Sequence, residues 1–142
     1  EFQAEWKWTH AYIPDAAHAF ALVSQNPSRT NVIYNVGERE TPSTLERIAQ
    51  IGGILDWKGE IVMTEDRDLA PHLQLPGYFD QDWIYDTEKI RRELNYCEQT
   101  DYLEGLEVSV NWYASNRPEE VVGVDYSYDL EDLFLDETRD SD

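Results

Sequence analysis

Proline and glycine cut this chain into short pieces. Breakers stand at Pro14, Pro27, Gly37, Pro42, Gly52, Gly53, Pro71, Pro76, Gly77 and Pro118, among others. Proline fixes φ and lacks a backbone donor, and glycine loses the most conformational freedom on ordering, so both mark ends and turns. The pieces between them alternate between β-rich and helix-like patterns. There is no internal repeat. No run approaches the roughly 20 apolar residues that a membrane span needs, and no signal-peptide pattern opens the chain.

Residues 5–13 place Trp6, Trp8, His10 and Tyr12 at alternate positions, the period of a strand. Pro14 and Asp15 then open an alanine-rich helix, where proline's missing N–H has no intrahelical partner to lose. Ala17, Phe20, Ala21, Leu22 and Val23 form its expected apolar face, and Asn26 and Pro27 its end. Residues 31–36 are apolar almost throughout, as a strand covered on both faces would be, and Gly37 stops them. Thr41 as N-cap and Pro42 at the first helical position start a second helix. Leu45, Ile48, Ala49 and Ile51 are its stripe, and Gly52 and Gly53 its expected end. Residues 60–64 read as another short strand.

Residues 65–82 read as an irregular loop, and loops of that length are often functional. Asp86 is expected to cap a helix through Leu94, with Tyr85 and Ile90 placed for a hydrophobic staple. Asp101 and Glu104 make a D-x-x-E capping box for a last helix carrying Leu103, Leu106, Val110 and Tyr113 on one face. Val108, Val110 and Trp112 also fit a strand by alternation. Asn116 to Pro118 closes this region. Residues 1–118 are thus expected to form one domain. Residues 119–142 form an acidic and aromatic tail, either disordered or ordered by a partner or a second copy.

The formal net charge is −19, and residues 119–142 carry ten acids against one base. Both parts are acidic, which disfavours a nucleic-acid backbone as partner. Such a surface keeps a protein soluble but does not choose its fold. Apolar residues make up 41% of the chain, enough for a packed body. Cys97 is the sole cysteine, so no internal disulfide can form, which fits a reducing cytoplasm. The chain opens at Glu1 and has its only methionine at Met63, as an excised piece of a longer protein would.

Five runs, in order, resemble the C-terminal region of extended short-chain dehydrogenase/reductases, the NAD-dependent epimerase/dehydratase family. Residues 8–21 (WTHAYIPDAAHAFA) are similar to the family's strand-to-helix turn with its aromatic, histidine and aspartate. Residues 32–37 (VIYNVG) are similar to its I-Y-N-x-G strand. Residues 68–71 (DLAP), 86–96 (DTEKIRRELNY) and 102–112 (YLEGLEVSVNW) follow in the family's order. The resemblance covers about residues 6–118. It implies an α/β fold: the smaller C-terminal domain of a Rossmann-type enzyme, α+β as an isolated fragment, with short strands and four or so helices. It also implies a parent that binds NAD or NADP and a nucleotide-sugar, and it favours helix for 102–115.

The glycine-rich phosphate loop that the family keeps in its N-terminal half has no counterpart here. The chain alone is therefore expected to bind no dinucleotide and to be catalytically silent. No residue is assigned a catalytic role. A Y-x-x-x-K spacing does occur at Tyr85 and Lys89, but it falls downstream of the family's catalytic pair and is read as coincidence. The resemblance makes His10 a cofactor- or substrate-proximal candidate on the nicotinamide side, against packing at the turn. It makes Arg67, just before 68–71, a candidate for the nucleotide diphosphate, against a solvated loop arginine. A guanidinium suits diphosphate because it offers a planar fork of donors. His10, His18 and His72 match no common metal-ligand spacing, so no metal is expected. Trp6, Trp8, Trp57, Trp83 and Trp112 read as core or interface aromatics. Some would lie exposed without the Rossmann half, which predicts association, and a homo-oligomer is expected. The alternative is a non-enzymatic acidic interaction module that keeps this architecture, with the tail as its working part.

Overall fold

A computed structural model describes residues 2–28, 31–63, 73, 79–117 and 128–139. Its helices are α1 (Phe2–Glu5), α2 (Ile13–Ser24), α3 (Thr44–Ile54), α4 (Glu88–Leu94), α5 (Tyr102–Ser115) and α6 (Tyr128–Arg139). Two isolated bridges stand where strands were expected: Lys7 with Ser43, antiparallel, and Trp8 with Trp83, parallel. The short strands of the α/β expectation are not seen among the described residues. The described chain is mostly helical, and residues 5–13, 31–36 and 60–63 build no strand. A strand exists only in a ladder, and among the described residues these runs find no neighbour to make one. Residues 7–9 come nearest. Thr9 N–H donates to the Trp83 carbonyl at 3.1 Å, and Trp83 N–H to that of Lys7 at 2.8 Å.

The helix starts follow local chemistry. Proline occupies the first turn of α2 as expected. The cap of α3 is Ser43, not Thr41. Ser43 Oγ accepts the Glu46 N–H at 3.2 Å, and Glu46 Oε2 accepts the Ser43 N–H at 2.7 Å. This reciprocal S-x-x-E box satisfies two orphan donors where Thr41 would satisfy one. Helix α3 also runs through Gly52 and Gly53 to Ile54. Gly52 lets Trp57 pack closely, because a Cβ there would lie 3.2 Å from the Trp57 ring. At α4 the cap position is Thr87, one residue later than expected, while Asp86 still accepts the Glu88 N–H at 2.8 Å. Tyr85 is more than half exposed whereas Ile90 is buried, so the expected staple does not clamp this start. Asn95 ends α4 in the left-handed region at φ 53°, which asparagine tolerates better than most residues. Asp101 caps α5 by accepting from Leu103 and Glu104, and 102–115 is helix throughout.

The core is small. Ala19, Ile90, Leu94 and Tyr96 are buried, with Leu22, Val23, Tyr34 and Val36 packed against them. Asp15, 3% exposed, accepts the Gln99 N–H at 2.7 Å and ties the first turn of α2 to the chain after α4. Helix α2 buries the side holding Asp15 and Ala19; of the expected face, Leu22 and Val23 pack against the core and the rest does not. Ile13 (81%) and Phe20 (78%) lie open to solvent, and so do Ala17 and Ala21. Ile33, at 83%, is just as exposed.

With so few buried side chains, each matters more than in a larger domain. Ile90→Ala is expected to cost about 3 kcal/mol, and Ile48→Ala, at a half-exposed site, less than about 0.5 kcal/mol. Urea unfolding followed by circular dichroism distinguishes the two.

Candidate functional site

The turn at Gly37 and Glu38 is where separate parts of the chain converge. Glu38 N–H donates to the His10 carbonyl at 2.8 Å, and His10 N–H donates to Glu38 Oε1 at 3.1 Å. A Cβ at Gly37 would lie 2.3 Å from Thr9 Cγ2 and 3.0 Å from the His10 carbonyl oxygen. Only glycine lets the two segments approach this closely.

Two arginines grip the turn. From α3, Arg47 pairs with the Glu38 carboxylate, and both side chains are only 11% exposed. Arg47 also donates to the Trp8 carbonyl (3.3 Å) and the Tyr102 hydroxyl (3.2 Å), with its guanidinium over both rings. The Tyr102 hydroxyl in turn donates to Gln50 Oε1 at 2.7 Å. From α4, Arg91 donates to the Gly37 carbonyl at 2.9 Å and makes a two-point pair with Glu98. Guanidinium suits these places because its planar fork can serve a carboxylate and a carbonyl together.

The electrostatics follow. Burial works to raise the Glu38 pKa, but hydrogen bonding from His10 and Arg47 outweighs it, so the group stays below its ordinary 4.5. Glu98 is also lowered, chiefly by hydrogen bonds from Arg91. Burial raises the Tyr102 phenol despite Arg47, and it pushes core Tyr96 up to about 12. Both phenols are neutral near pH 7.

His10 sits at the rim of this network. Its side chain is 41% exposed, its ring lies 4.6 Å from that of Trp8, and Nδ1 is 3.8 Å from Glu38 Oε1. That separation is too long for a hydrogen bond, and Nδ1 is buried without a hydrogen-bond partner among the described residues. A half-exposed imidazole beside a fixed carboxylate can hydrogen-bond a ligand oxygen or carry a proton. Arg67, His72 and the 68–71 run lie outside the described residues.

Lys89 donates to the Ile33 carbonyl at 3.1 Å and lies over the Tyr34 ring, while Tyr85 N–H reaches Thr9 Oγ1. These placements give Lys89 a packing role on the Tyr34 side. His18 stacks with Tyr96, and Cys97 is exposed. Among the described residues no three His, Cys, Asp or Glu side chains converge as metal ligands would. No described helix is long and apolar enough to cross a membrane.

Sequence reasoning singled out His10 but missed Glu38, Arg47 and Arg91 as its supports. No local signal marks them, because Arg47 lies nine residues from Glu38 and Arg91 lies 54 from Gly37.

The described residues thus form a helical body around an Arg47–Glu38 turn, with a half-exposed His10 at its rim. No family model matches the chain, and no solved structure does. It is similar to the trifunctional UDP-glucose 4,6-dehydratase/UDP-4-keto-6-deoxy-D-glucose 3,5-epimerase/UDP-4-keto-L-rhamnose-reductase of Arabidopsis thaliana, with 30% identity over 111 residues. That stretch covers 76% of this chain but 15% of the plant enzyme. The chain is thus related, at modest identity, to one segment of a nucleotide-sugar dehydratase/epimerase/reductase.

Glu38→Gln leaves the Arg47 guanidinium buried without its counter-charge, and a cost of about 3 kcal/mol is expected. Glu38 binds protons less readily folded than unfolded. Its contribution is therefore full above the unfolded value near 4.5 and is lost as pH falls further, through the folded value. The stability gap between wild type and Glu38→Gln should hold from pH 7 to about 5 and shrink below 4.5, as read from urea midpoints.

Proposed function

We propose that this chain is the substrate-side part of an NAD(P)-dependent nucleotide-sugar epimerase or dehydratase. A Rossmann half elsewhere in the parent would hold the dinucleotide, and the chain alone would be catalytically silent. One observation carries the reading. Helix α2 is apolar on two sides, and only one of them meets this chain's own core. Ile13, Ala17, Phe20 and Ala21 recur at i, i+4, i+7 and i+8, the spacing of a face made to be covered. Residues 32–36 point the same way. They carry Val32, Ile33 and Val36, with Ile33 bare and no ladder among the described residues, as suits a run whose sheet partner would come from outside. The similarity to the plant enzyme supplies the chemistry class.

In this reading His10, fixed by the Glu38 turn, faces the nicotinamide side of the cleft. Arg67 holds the substrate diphosphate. The cofactor would supply hydride transfer when bound, and this chain would supply part of the pocket wall. The second reading, a non-enzymatic interaction module, draws on α6, where Leu130 and Leu133 are exposed among acids. The coding sequence upstream separates the two. A glycine-rich loop followed by Y-x-x-x-K supports the enzyme, and their absence from the gene supports the module.

Three measurements test the proposal. Calorimetric titration of the isolated chain with NADH should show no binding, and tight binding refutes it. In the full-length parent, Arg67→Ala should raise KM for the nucleotide-sugar roughly tenfold or more, as loss of a charge-assisted contact does, and an unchanged KM returns Arg67 to the status of a loop residue. The isolated chain should bind an apolar dye and self-associate. Ile13→Asp, Phe20→Asp and Ile33→Asp together should suppress both, with little loss of helical signal, because all three side chains are more than three-quarters exposed. If dye binding persists, the bare face lies elsewhere.

A further inference from the structure

A shallow groove runs between α3 and α5. Gln50, Gly53 and Ile54 line it from one helix, and Leu103 and Glu107 from the other. Gly53 stands out there. It lies within the last turn of α3, where glycine is destabilising relative to alanine. Other helical glycines repay that cost through packing: Gly52 against Trp57, and Gly105 against the Tyr12 ring at 3.3 Å. A Cβ on Gly53 would meet nothing within 4 Å, and its φ is not left-handed. Neither a turn nor packing within the described chain requires it. What glycine does offer at this place is close approach by something outside.

The exposed charges of α3 and α5 have one sign. Helix α5 contains Glu104 and Glu107 and no lysine or arginine, and Asp101 caps it. In α3 the only cation is Arg47, buried and paired with Glu38, while Glu46 is exposed one turn before Gln50. The C-terminal end of α3, where Gly53 and Ile54 sit, adds the negative pole of its backbone dipole. The groove centre is apolar, with Leu103 53% exposed beside Ile54.

We propose that this groove docks a cationic amphipathic helix of a partner protein. Its apolar residues would seat over Gly53 between Ile54 and Leu103, and its lysines or arginines would meet Glu46, Glu104 and Glu107. Helices recognise grooves in this way through anchors at i, i+3 and i+4. The inference is independent of the nucleotide-sugar reading, since it uses neither His10 nor Arg67.

The test titrates a labelled helical peptide of leucine and lysine, about four turns long, into the 142-residue chain by fluorescence anisotropy. A counterpart with glutamate in place of lysine runs beside it. The lysine peptide should bind saturably, more weakly as salt rises, and the glutamate peptide should not bind. Gly53→Leu should weaken binding roughly tenfold or more, because it fills the groove at a position with room for a side chain. Leu103→Lys should weaken it comparably by placing a like charge at the centre, and thermal melts confirm that both variants remain folded. Equal affinity for wild type and both variants would reduce the effect to attraction by overall charge and overturn the proposal. No binding of the lysine peptide, or equal binding of both peptides, overturns it too.

Discussion

Two buried guanidinium groups hold one turn, and the remaining structure is arranged around it. Arg47 takes the carboxylate of Glu38, and Arg91 takes the carbonyl of Gly37. One arginine comes from α3 and the other from α4, so the turn fixes these helices relative to the His10 segment. Such pairs are demanding, because removing one partner leaves a charge out of water without compensation. Here each guanidinium is answered by a carboxylate and by a neutral acceptor. Arg47 adds two aromatic faces, and Arg91 also lies over the Tyr96 ring.

This polar frame matters because the apolar core is slight. Four buried hydrophobic side chains among the described residues, with only Ile90 fully buried, are few for a domain of this length. The frame holds α2, α3, α4 and the His10 segment together while leaving the second side of α2 bare. On the proposed reading, that face completes its core against the sheet of the Rossmann half. The polar frame then serves a further purpose: it sets the position of His10 before the other half arrives.

The helices were largely legible from sequence because their signals are local. Proline in the first turn of α2, the asparagine and proline after it, and the Asp101 cap each act within a few residues. The α3 start was missed by two residues because Thr41 and Pro42 look like a cap and its follower, yet Ser43 and Glu46 satisfy each other. The glycines of α3 were misread for a similar reason. Glycine usually ends a helix, but Gly52 is there to admit Trp57. Strand-like runs were identifiable by composition, but a strand also needs a partner. Residues 31–36 have the side chains of a covered strand and no ladder among the described residues.

The sequence by itself determined that helices lie at α2 to α5, the strong negative charge, and His10 and Arg67 as candidates by resemblance. Only the tertiary structure decided that Glu38, Arg47 and Arg91 form the frame, that α2 turns Asp15 and Ala19 inward, and that Phe20 stays bare. The physical reason is range. Caps and periodicity act between neighbours along the chain. The Arg47–Glu38 ion pair across 9 residues, the Arg91 hydrogen bond to the Gly37 carbonyl across 54, and the choice between two apolar sides of one helix are settled only when distant segments pack.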